Sequence, residues 1–214
     1  MRRSVVVFSV GLTLIFSAAG TAAEWEIGGA GGVGVYHSAS VTNATGSADL
    51  GFATAAAGGV VIGENLYEHI SGEFRWTYRV DDLKLKSGGQ EATMDGRSHA
   101  LHYDFLFQAG HRESKIRPFA AAGAGIKVYQ GVGKEQPFQP LSSFALLTKT
   151  DQVEPLISFG GGVKFMVANH VMLRVDVRDY VTPTPDRIFT PAAGAKIKGW
   201  LHDVVPLFGV SFVF

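Results

Sequence analysis

The sequence contains no cysteine, which excludes both a disulfide framework and a thiolate metal site. Neither sign of charge is in surplus: 19 Lys and Arg stand against 19 Asp and Glu. That balance excludes the strongly basic footprint of a nucleic-acid-binding surface. No apolar run reaches the ~18 residues that a transmembrane helix needs. The carboxylates and histidines show no metal-ligand spacing, so no metal or cofactor is expected. The glycine runs at 28–34 and 160–162 are followed by no helical pattern, so they are not phosphate loops. They read instead as small residues that make room.

What the sequence does contain begins with a secretory signal. Arg2 and Arg3 form a positive head, residues 5–16 an apolar stretch, and Thr21-Ala22-Ala23 a small-residue cleavage site near Ala23. A short membrane anchor is the alternative, but small residues follow the apolar stretch at once. Residues 1–23 are thus expected to be a signal peptide and residues 24–214 one exported domain.

The exported part alternates with period two, the signature of strands. Eight segments are expected: 25–36, 50–62, 71–80, 99–110, 119–130, 154–166, 171–180 and 200–214. In the third, Phe74, Trp76, Tyr78 and Val80 share one face and Glu73, Arg75, Thr77 and Arg79 the other. In the seventh, Leu173, Val175 and Val177 oppose Arg174, Asp176 and Arg178. The first, third, fifth and seventh connections are long, the first and third of them polar and the fifth carrying a partly apolar patch from Leu141 to Leu147; the others are short turns. An even-stranded up-and-down meander with one short-turned rim gives that pattern. The last segment has large apolar residues at Phe208, Val210, Phe212 and Phe214, and it is expected to close the sheet against the first.

The whole of residues 24–214 resembles the small eight-stranded outer-membrane barrels of the outer-membrane protein A transmembrane-domain type. The resemblance rests on the strand count, the loop alternation, the signal peptide and the terminal Phe214 preceded by Phe212, Val210 and Phe208. It implies an all-β transmembrane barrel in the outer membrane of a Gram-negative-type envelope, with periplasmic turns and external loops. It implies as partners membrane lipids, lipopolysaccharide and the assembly machinery that reads the C-terminal strand. The parent family's peptidoglycan-binding role is not expected of it.

Parity alone does not say which face is inside, because a secreted lipocalin-type barrel has eight strands too. The apolar face decides it. An eight-stranded interior is only just wide enough for its own side chains and could not hold Trp25, Phe74, Trp76, Tyr103, Phe105 and Phe208 together. The polar face, mixed with Gly, Ala and Ser, therefore turns inward. The third and seventh strands lie opposite each other, and counting up from the short-turn rim puts Glu73 level with Arg174 and Arg75 level with Asp176. An ion-pair plug is expected, extended by Glu26, His102, Asp104, Lys127, Lys164 and Asp203.

Three histidine pairings are candidates for chemistry. His69 and Ser71 have the spacing of some lipid A deacylases, but lie beside a short turn with Ser71 facing inward. His202 and Asp203 are adjacent and so point to opposite faces. His102 and Asp104 share a face without a neighbouring nucleophile. No catalytic residue is assigned, and the chain is expected not to be an enzyme. Lys84, Lys86, Arg97, Lys134, Arg187, Lys196 and Lys198 could meet lipopolysaccharide phosphates, although solvated loop charge is the simpler reading of each. The expected function is that of a monomeric envelope barrel with interacting loops. A lipid A-modifying enzyme and a narrow channel for small or hydrophobic solutes are the alternatives.

Overall fold

A computed structural model describes residues 24–111 and 114–214. The expected signal peptide and its cleavage site lie outside the described residues. In chain order the strands are β1 (Trp25–His37), β2 (Ala39–Asn43), β3 (Gly46–Phe52), β4 (Ala55–Asn65), β5 (Ile70–Val80), β6 (Leu83–Ser87), β7 (Gln90–Met94), β8 (Gly96–Gln108), β9 (Ile116–Gly131), β10 (Ala145–Leu147), β11 (Asp151–Ala168), β12 (Val171–Pro183), β13 (Phe189–Pro191), β14 (Lys196–Lys198) and β15 (Trp200–Val213).

Eight of them, β1, β4, β5, β8, β9, β11, β12 and β15, close an antiparallel barrel. The closing seam joins β1 to β15, with Gly28 opposite Ser211 and Gly31 opposite Phe208. At the short-turn rim Trp25 N donates to Phe214 O at 2.8 Å and Phe214 N to Trp25 O at 3.0 Å. Closure leaves the barrel no unpaired sheet edge, the condition for a β-structure to cross a membrane.

The parity of the sequence is the parity of the wall. Phe105, Phe208 and Phe212 stand about half exposed on the outside, whereas Glu73 and Arg174 are 1% and 0% exposed inside. Space for those inward groups comes from glycine. A Cβ on Gly34 would fall on the Arg79 guanidinium, and one on Gly209 would come within 2.8 Å of Arg174 Cγ. On β15 the outward apolar run from Val204 to Phe214 covers ~26 Å along the barrel axis, taking ~3.4 Å per residue and a ~40° tilt. That matches the ~25 Å apolar band of outer-membrane barrels.

The connections at the other rim, expected as loops, carry strands of their own. They fold into a cap: β14-β2-β3-β6-β7 form a five-stranded sheet and β10-β13 a two-stranded one. Beneath the sheet lies a dry core of Val41, Leu50, Leu85, Leu147, Ile188 and Phe189, continuous with the barrel residues Tyr129 and Leu201. β6 and β7 are joined by Gly88-Gly89 at φ +55° and +80°, between the paired Ser87 and Gln90. Both central residues of such a primed turn need the left-handed region that glycine reaches without strain. The cap also explains the displaced second segment. Leu50 and Phe52 pair with Leu85 and Leu83 in the cap, and the barrel strand begins only at Ala55.

Candidate functional site

The inward residues form layers. Nearest the short-turn rim is a cluster of four carboxylates and four cations. Arg174 meets Glu73 at 2.7 Å and Asp176 at 2.8 Å. Arg75 meets Glu73 at 2.7 Å and, across the lumen, Asp176 at 2.8 Å. Arg178 reaches Asp104 at 3.0 Å, and Lys164 reaches Glu26 at 2.5 Å. The pairings Glu73–Arg174 and Arg75–Asp176, placed by height from the sequence, are thus both formed. These eight groups balance in charge and are almost wholly excluded from solvent, and Arg117, also buried, lies in register with Lys164 with its Nη2 3.6 Å from Met172 Sδ. Isolated, each of these ions would be costly to bury; paired and hydrogen-bonded, they are tolerated. Phe119 lies among them, its ring 5.6 Å from the Arg178 guanidinium carbon and 5.7 Å from that of Arg174.

A second cluster lies toward the cap. Arg79 pairs with Asp203 and, at 2.8 Å, with Asp81. Its Nη2 also donates to Gly34 O at 2.7 Å and to Ala53 O at 2.9 Å, tying the barrel wall to the chain that descends from β3. Lys127 Nζ donates to Asp203 at 2.6 Å and to the Tyr36 hydroxyl at 2.7 Å. Between the two clusters lies Thr77, whose Oγ1 is 3.5 Å from the Tyr180 hydroxyl. There Ala57, Ala100, Leu156, Tyr180, Val205 and Leu207 form a buried apolar layer.

The three histidine pairings resolve by position. Ser71 faces inward and accepts a hydrogen bond from Gln108 Nε2 at 2.7 Å. His69 precedes β5, its ring 6.4 Å from that of His111. His102 Nδ1 lies 2.9 Å from Asp104; Ser158 Oγ is on the far side of that carboxylate at 3.4 Å, so the histidine does not touch the hydroxyl. Asp203 points into the lumen, whereas His202 turns outward to Asp179 at 2.9 Å, a partner the sequence reading did not name.

The outer face of the cap sheet is polar. Lys84 and Lys86 project from β6 toward Glu91 at 3.6 and 2.9 Å. The hydrogen bond from Lys86, with the charges of both lysines, holds the Glu91 carboxyl below the usual range. Beside them is a shallow cleft of about 200 Å³ lined by Ser38, Asp49, Thr54, Lys84 and Lys86. Arg97 Nε donates to Gln130 at 2.7 Å. Among the described residues Lys196 and Lys198 have no carboxylate within ion-pair distance.

A closed barrel, apolar outside and polar within, is a transmembrane β-barrel of the outer-membrane type. Solved structures bear out that fold. The outer membrane protein OprG from Pseudomonas aeruginosa aligns with a TM-score of 0.59 at 11% identity, over 89% of this chain and 95% of its own. Neisserial surface protein A aligns with a TM-score of 0.51 at 13% identity, over 91% of this chain and 100% of its own. No family model and no curated protein matches the sequence.

Proposed function

We propose that this protein is a monomeric, non-enzymatic outer-membrane barrel whose lumen is plugged and whose capped rim faces the exterior. On this reading it contributes to envelope integrity and meets its partners through the cap. The observation that carries the reading is the layering of the lumen: an ion-pair cluster, a largely apolar belt, a second ion-pair cluster and the cap core lie in series. A hydrated ion crossing it would have to break buried pairs twice and shed water at the apolar layer between them, each step costing several kcal/mol or more. The expected partners are membrane lipids and lipopolysaccharide on the outside, and the assembly machinery through β15.

Planar-bilayer recording of the purified, heat-modifiable barrel tests this. The expected trace is flat. Stable, selective conductance steps would instead establish the narrow-channel alternative. Loss of lipid A acyl chains on expression would establish the enzymatic one.

A further inference from the structure

We propose that Arg117 binds a small inorganic anion in the lumen at the short-turn rim, with the Ser211 hydroxyl as a second donor. Arg117 is the second residue of β9, Met172 the second of β12, and Ser211 stands two residues from the end of β15. All three face inward and are buried, Arg117 to 3% exposure. The inference rests on the filled lumen described above and adds a ligand to it.

The charges of the lumen leave Arg117 over. Glu26 is taken by Lys164 at 2.5 Å and Arg174 at 3.5 Å. Glu73 is taken by Arg75 and Arg174, Asp176 by the same two, and Asp104 by Arg178. His102 also turns its Nδ1 to Asp104. Toward the cap, Arg79 and Lys127 balance Asp81 and Asp203. No carboxylate among the described residues lies within ion-pair distance of Arg117, and its register partner on β11 is another cation, Lys164. A guanidinium is a cation with five N–H donors. What this one meets is the thioether of Met172, Nη2 to Sδ 3.6 Å, a weak acceptor without charge. Water would accept from the remaining donors but would not balance the charge, and an unbalanced buried ion is costly.

A second group at the same end of the lumen is also unsatisfied. Ser211 lies opposite Met172 in register, and its Oγ is buried without a hydrogen-bond partner. Opposing side chains on neighbouring strands start ~4.5–5.5 Å apart. Arg117 therefore touches Met172 from the β11 side of β12, and Ser211 flanks it from the β15 side. Together they supply what an anion needs, a fixed positive charge and a hydroxyl donor. The burial of both restricts the ligand to a halide-sized ion and excludes a lipid headgroup or a nucleotide. An ion entering from the short-turn rim reaches Arg117 without crossing the apolar belt or the second cluster.

The test measures the folding equilibrium of the whole barrel in phosphatidylcholine vesicles by urea titration, with chloride replacing gluconate at constant ionic strength. Gluconate is too large for the site. Raising chloride from about a tenth to about ten times its dissociation constant should raise the folding constant of the parent about tenfold. Arg117→Met should show no chloride dependence. Ser211→Ala should need about tenfold more chloride for the same gain, the usual loss of a hydrogen bond to a charged group. Lys115→Gln, which removes an exposed cation from the same rim, should respond as the parent does. A parent indifferent to chloride, a dependence that survives in Arg117→Met, or one lost equally in Lys115→Gln would each overturn the proposal. If Arg117→Met does not fold, Ser211→Ala carries the test, and an unshifted chloride dependence in it overturns the proposal. Conductance steps in a planar bilayer would defeat the plugged lumen without altering the chloride dependence, so the two failures are distinguishable.

Discussion

Arg75 on β5 and Asp176 on β12 meet at 2.8 Å although their strands stand four staves apart in a ring of eight. Their contact therefore spans the full width of the lumen. Each also has a second partner, Glu73 for Arg75 and Arg174 for Asp176, so the bridge belongs to a network. Removing one member strands the others. Arg75→Met should lower the stability of the folded barrel by about 3–5 kcal/mol, the usual result of leaving a buried charge uncompensated. Asp176→Leu should cost a similar amount. The double variant, which removes charges of both signs, should lose clearly less than the sum. Urea titration in lipid vesicles, followed by gel mobility, measures all three.

Arg79 acts as a rivet between barrel and cap. Its guanidinium serves Asp81, Asp203, Gly34 O and Ala53 O at once and lies 4.2 Å from the centre of the Tyr36 ring. A lysine has a point charge where arginine has a planar fork, and cannot reach that set together. Arg79→Lys should therefore fail to restore what Arg79→Ala loses. In both variants, hydrogen exchange at the amides of β3 and β6 should quicken while the lower half of the barrel stays protected.

The cap has its own core, so it should fail on its own. Leu85 is fully buried beneath the cap sheet, against Leu50 and its neighbours. Leu85→Ala should remove about 2–5 kcal/mol from the cap, as large-to-small changes in packed cores do. Limited proteolysis should then cut within residues 81–95 while the heat-modifiable shift persists. If the barrel unfolded together with the cap, the two would form one cooperative unit.

The barrel was legible in the sequence because period-two alternation survives wherever a strand separates lipid from lumen, as at Phe74-Arg75-Trp76. The luminal pairs were legible for the same reason: in a closed sheet, counting residues from one rim gives height. The cap was not, because its strands are short and their alternation is brief. Leu83-Lys84-Leu85-Lys86 and the Gly88-Gly89 turn after it carried a hairpin signal, but one masked by its place in a long polar connection.

Glycines 31 and 32 are neighbours with opposite duties. A Cβ on inward Gly32 would land on Pro206 O, whereas one on outward Gly31 would meet nothing nearer than Ala57 O at 3.9 Å. Gly32→Ala should therefore block closure of the β1–β15 seam, leaving little heat-modifiable protein. Gly31→Ala should fold as the parent does. Equal yields from the two would show that the seam accommodates a methyl group at position 32.

The outward apolar face distinguishes a membrane barrel from a soluble one most directly. Phe208 lies near the middle of the run from Val204 to Phe214 and is 56% exposed; Val204 lies at its cap-side end. In lipid, a cation costs most at the midplane, where no water can solvate it, and little where it can snorkel to headgroups. Phe208→Arg should cost about 2–4 kcal/mol and Val204→Arg about 0–1 kcal/mol in vesicle-based unfolding titrations. The gradient is the informative quantity. A barrel in water would gain solubility from either arginine and show no dependence on depth, so equal effects at the two positions would return the apolar face to solvent and remove the membrane from the account.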